Sequence, residues 1–167
     1  MAETIADYLV SIFQGKIPGE LIVFIISMFP VVELRGGMIA AKLLDVEFIK
    51  AFIICYAGNI LPIPFILLFI RRIFAFLKRF TATKKLVEKL ETSSLRKSDK
   101  IRKSRIWGLL AFVAIPLPGT GGWTGSLIAA LLDMRIKISF PVIALGVLIA
   151  NLIMSVFSYG LLGAIGL

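Results

Sequence analysis

The sequence predicts an all-α integral membrane protein made of two inverted repeats. Each repeat is a re-entrant helical hairpin followed by a transmembrane helix, and an amphipathic helix precedes the first. Three observations lead there. The chain of 167 residues is 59% hydrophobic, with a mean hydropathy of +0.97, well above the roughly 45–50% apolar share of a soluble domain. Ala51 to Ile70 and Ile138 to Gly166 hold twenty and twenty-nine residues without a charge, enough to cross a hydrocarbon core of ~30 Å. The chain also matches itself at an offset of 88. Pro30 meets Pro118, Gly37 meets Gly125, Asp45 meets Asp133 and Gly58 meets Gly146, the mark of many transporter folds.

Residues 1–19 place Ile5, Tyr8, Leu9, Ile12 and Phe13 at helical spacing, which predicts a helix lying in the membrane surface. This stretch has no basic n-region and no small-residue cleavage site, so it is not read as a cleavable leader. Repeat 1 covers 20–70, with a hairpin over 20–44 and a span over 46–70. Leu21 to Phe29 and Gly37 to Leu44 are apolar runs of nine and eight residues, about 12–14 Å each as helix, under half the core thickness. They are parted by "PVVELRG", and either one kinked span or a hairpin accommodates them.

Residues 71–105 hold thirteen of the nineteen Lys and Arg against three acids. A basic segment between spans marks a cytoplasmic loop rather than a nucleic-acid site. Phe76, Leu77, Phe80, Val87 and Leu90 fall near one helical face there, which fits a helix on the anionic inner leaflet. Repeat 2 covers 106–167, with a hairpin over 106–133 and a span over 136–166. With the basic loop inside, paired hairpins put Asp45, Glu47 and Lys50 outside and Asp133, Arg135 and Lys137 inside. The more basic corner is then cytoplasmic, as the charge rule requires.

The candidate site lies at the two breaks. Pro30, Pro116 and Pro118 terminate the incoming half-helices, while Gly36, Gly37, Gly119, Gly121, Gly122 and Gly125 permit tight turning and close approach. The outgoing halves are expected to begin near Gly36 and Trp123, with their positive ends toward the midplane and Thr120 or Thr124 capping the second. Glu33 and Arg35 cost about 2.5–3.5 kcal/mol each at the bilayer centre. They are either a structural brace or a proton or cation carrier (Glu33) and an anion ligand (Arg35). Asn59 and Asn151, a turn apart in the two copies, could each bond a hairpin tip or a substrate. Pro62 and Pro64 free the carbonyls of Gly58 and Ile60. Trp123 packs or stacks on substrate, and Asp45 and Asp133 read as helix-end residues.

The motifs "ELRGG", "GNILPIP" and "PLPGTGGWTG" resemble the putative small multidrug export family, over a region from about Glu20 to the end. That family is related to the DedA/VTT membrane proteins, and the resemblance implies paired re-entrant hairpins and movement of phosphorylated lipids. The arginine-bearing motif of the DedA second hairpin is replaced here by uncharged "PGTGGWTG".

No enzyme chemistry is indicated. Histidine is absent, Ser126 has no recognisable base, and the lone Cys55 sits in an apolar span. The expected function is transport of an anionic or phosphate-bearing amphiphile in the cytoplasmic membrane of a prokaryote. Proton-coupled export of cationic drugs and a non-transporting scaffold are the alternatives. No cofactor is expected beyond proton or sodium coupling. The expected partners are bilayer lipid, with anionic lipid at the basic loop, and a second copy of the chain packed through the small residues of "YGLLGAIG".

Overall fold

The computed structural model describes residues 17–77, 79, 85, 87–89, 92, 105–117 and 119–161. The expected N-terminal helix, most of the basic loop, Pro118 and the closing residues 162–167 lie outside them. Among the described residues every regular element is helical. In order they are α1 Gly19–Met28, α2 Glu33–Leu43, α3 Phe48–Ile60, α4 Ile63–Leu77, α5 Arg105–Ala114, α6 Gly122–Leu131 and α7 Ile136–Ser155, the last continuing as a π-helical turn Val156–Leu161.

The helix ends follow from local chemistry. Phe29 leaves α1 in an extended conformation (ψ 134), as a residue before proline must. α5 stops at Ala114, just ahead of Pro116. α2 and α6 end alike. Asp45 and Asp133 adopt left-handed φ of 53 and 55. Asp45 N–H donates to the Lys42 carbonyl and Val46 N–H to that of Ala41; Asp133 N–H donates to Ala130 and Met134 N–H to Ala129. These are Schellman closures, and the helix-end expectation for both aspartates holds.

α1 and α2 lie side by side and run in opposite directions. Gly19, at the start of α1, abuts Leu44 and Val46, while Ser27, near its end, abuts Gly37. A Cβ at Gly37 would collide with the Ser27 hydroxyl and come within 3.0 Å of Cys55 Sγ. In the second half Gly125 of α6 faces Val113 and Leu109 of α5. Gly58 of α3 lets α1 approach until a Cβ would stand 2.8 Å from the Phe24 carbonyl, and Gly146 of α7 admits Val113 of α5 in the same way.

α3 and α7 pack antiparallel at the centre. Tyr159 Oη donates to the Val46 carbonyl (2.7 Å), Asn151 Nδ2 to Phe52 (2.9 Å) and Tyr56 Oη to Ala144 (3.4 Å). Around them a core of Val23, Met38, Ile63, Leu109, Ile128, Ile143 and Val147 is closed to solvent. The stretches Phe48–Ile70, broken briefly between α3 and α4, and Ile136–Gly160 are long and apolar enough to cross a bilayer. Their outward faces expose Ile49, Ile53, Phe65, Leu68, Leu145, Leu152 and Phe157. So much contiguous apolar surface suits lipid, not water.

The helix of the first span continues past Ile70, through Arg72 and Phe74, to Leu77. That span is interrupted at Leu61 and Pro62, as the proline there leads one to expect, since its ring removes a donor.

Candidate functional site

The two breaks in the helical pattern meet. α2 begins at Glu33, three residues ahead of the expected Gly36, so Gly36 and Gly37 are buried inside α2 and do not form its turn. Gly37 still serves close approach, against Ser27 and Cys55. The turn falls on Pro30 to Val32, and Glu33 takes a left-handed φ of 52. For a residue with a side chain that conformation costs about 1–3 kcal/mol unless the surroundings enforce it.

The surroundings are the second break. α6 has Gly121 as its N-cap with φ 121 and no side-chain cap, so neither Thr120 nor Thr124 fills that role. The Glu33 carboxyl fills it from the other half of the chain. Its oxygens accept the N–H groups of Gly122 (3.2 Å) and Trp123 (3.1 Å). A negative group at the positive end of a helix is favourable on both hydrogen-bonding and dipole grounds. Gly121 is required here, because a Cβ would collide with that carboxyl.

Arg35 completes the exchange with the opposite polarity. Its guanidinium donates to the carbonyls of Leu117 and Thr120 and to Thr120 Oγ1, the last two at 2.9 Å. Thr120 Oγ1 also accepts from the Leu117 N–H (3.2 Å) and lies 2.8 Å from the Ile115 carbonyl. Gly119, with φ 78, turns the chain through this knot. In return, Trp123 Nε1 donates to the carbonyl of Met28 (3.1 Å), the last residue of α1. Each break therefore supplies hydrogen-bonding partners to the backbone of the other. Glu33 and Arg35 direct their hydrogen bonds to the second break and not to one another.

Asn59 stands beside this clasp. It is fully buried, near the Glu33 carboxyl, and its Oδ1 would lie 2.6 Å from a Cβ on Gly122. No partner meets strict hydrogen-bonding geometry at its oxygen or nitrogen, and the polar group beside it is the Glu33 carboxyl. Asn151 is placed elsewhere: its amide ties α7 to Phe52 of α3, and it does not join the breaks. Thr124 is half-buried on the first turn of α6. Pro118 lies outside the described residues.

Sequence reasoning marked most of these residues but not their partners. It missed the Trp123–Met28 bond and the role of Gly121 beneath Glu33.

A family model described as "Putative small multi-drug export protein" matches residues 33–153, from Glu33 of the first break to the later turns of α7. No curated protein matches the chain, and no solved structure matches it.

Proposed function

This chain belongs to the Putative small multi-drug export protein family, and from that premise we propose that it is a membrane exporter whose route passes between the two breaks. The single observation that carries the reading is the clasp. Two ionisable residues of one break bond the open backbone of the other across 85–90 positions of sequence.

α1, α2 and α6 have ten or eleven residues each. That is about 15–17 Å of helix, half of a bilayer core. The side-by-side packing of α1 and α2 favours hairpins that enter and leave by one face. The antiparallel α3 and α7 favour inverted halves, as do the matching closures at Asp45 and Asp133 and the matching contacts of Gly58 and Gly146. In this arrangement the clasp sits at the midplane of the cytoplasmic membrane and is the closed state of the route. The segment 71–105 faces the cytoplasm.

The preferred cargo is an amphiphile with a carboxylate or phosphate. The N–H groups of Gly122 and Trp123 form an anion berth, which the Glu33 carboxyl occupies, and Arg35 stands beside it. A second reading, proton-coupled export of lipophilic cations, is favoured by the Asn59 amide next to Glu33, which offers a protonated carboxyl an acceptor. Liposomes containing the purified protein distinguish them. The proposal expects efflux of a polyprenyl phosphate and its loss in Arg35→Ala. Efflux of a lipophilic cation alone, abolished by Glu33→Gln and kept in Arg35→Ala, establishes the second reading instead. A protein that folds and moves neither is a scaffold.

A further inference from the structure

We propose a binding site for an anionic glycerophospholipid at the rim between Arg105 of α5 and the N-terminal end of α7, away from the clasp. A cavity of about 320 Å³ opens there, lined by Arg105, Ile106, Asp133, Met134, Arg135 and Ile138. Its two halves differ in chemistry. Arg105 lies on α5, and Arg135 is the N-cap residue of α7, a helix that starts without a side-chain cap. Ile106 and Ile138 are 46% and 41% exposed on the apolar side.

Two guanidinium groups from different elements match a phosphodiester, which each can hold through paired N–H donors. The isoleucines offer the adjacent acyl chain a surface that water does not favour. Asp133 is the one acid of the lining against Arg105 and Arg135, so the net charge of the lining is positive. Trp107, 70% exposed on α5, has the position of an interfacial anchor and sets the rim at headgroup depth. The corresponding corner before α3 carries Asp45 and Glu47, with Lys50 paired to Glu47 at 3.9 Å. That corner lacks the chemistry for a phosphate.

The test uses the full chain in nanodiscs of phosphatidylcholine doped with phosphatidylglycerol, read by native mass spectrometry as lipid retained per protein. Preferential retention of phosphatidylglycerol is expected, reduced about tenfold or more in Arg105→Gln/Arg135→Gln. Lys50→Gln, at the opposite corner, is expected to bind as the parent does. Equal retention of the two lipids, or an unchanged double variant, overturns the proposal. Saturation by soluble glycerol phosphate at the affinity of the lipid also overturns it and assigns the rim to a free phosphate. If the double glutamine variant is misfolded, the single variants Arg105→Gln and Arg135→Gln decide: reduced retention of phosphatidylglycerol in either supports the site, and parent-like retention in both overturns it. Neither arginine touches the clasp, so this outcome is independent of the transport result.

Discussion

At position 121 one methyl group would stand where the Glu33 carboxyl now lies. The backbone of Gly121 is left-handed, and the space above its Cα belongs to the Glu33 carboxyl. Gly121→Ala is therefore expected to cost about 2 kcal/mol or more, seen as a lowered unfolding midpoint in detergent. Glu33→Gln retains one acceptor oxygen but loses the charge. The expected loss is milder, about 1 kcal/mol for each weakened bond. Asn59→Leu separates structure from function. The two side chains are alike in shape, and the leucine removes two buried polar atoms without a partner at strict geometry, so a neutral or raised midpoint is expected. Under the second reading, transport of the cation falls in the same variant. A strongly lowered midpoint in Asn59→Leu means instead that the amide is bonded in the native fold.

The sequence marked Glu33, Arg35 and the glycines because charge and conformational freedom are properties of single residues. It could not mark the Glu33–Gly122 bond, since a partner 89 positions away is a property of packing. The same limit hid Tyr159 and Val46, which meet across 113 positions.

Among the elements, the closures at Asp45 and Asp133 admit a simple prediction. Both hold an aspartate where glycine is the usual residue. Asp45→Gly is expected to stabilise by about 0.5–1 kcal/mol through relief of the left-handed strain, measured as a raised midpoint. Trp123→Phe keeps the ring and removes the N–H that caps α1 at Met28. The expected cost is about 1–2 kcal/mol, with faster amide exchange at the end of α1 as its signature. Proline made the ends of α1 and α5 readable in sequence, because its effect is local and steric. The true start of α2 was not readable. "ELRGG" looks like a turn by composition, yet helix begins at its first residue because Pro30 to Val32 complete the reversal.

For the molecule as a whole, direction is the decisive property. If the halves are inverted, Asp45 and Asp133 face opposite sides of the membrane. Cysteine placed at each, in a Cys55→Ser background, is expected to react with an impermeant maleimide from opposite sides of sealed vesicles. Reaction of both from the same side removes the inverted arrangement and the midplane route with it. The internal repeat and the charge bias point to this organisation in the sequence alone. What they leave out is the closeness of the two breaks, which depends on small residues at Gly37, Gly58, Gly125 and Gly146 letting helices approach at backbone distance.

The bond from Trp123 to Met28 has a practical consequence. The chain contains two tryptophans, and Trp107 faces outward at the rim, so Trp107→Phe leaves a single indole, seated on the joint between the halves. Its emission then serves as a built-in optical gauge: parting of the halves during a transport cycle strips its carbonyl partner and shifts its colour, without any dye attached to the protein.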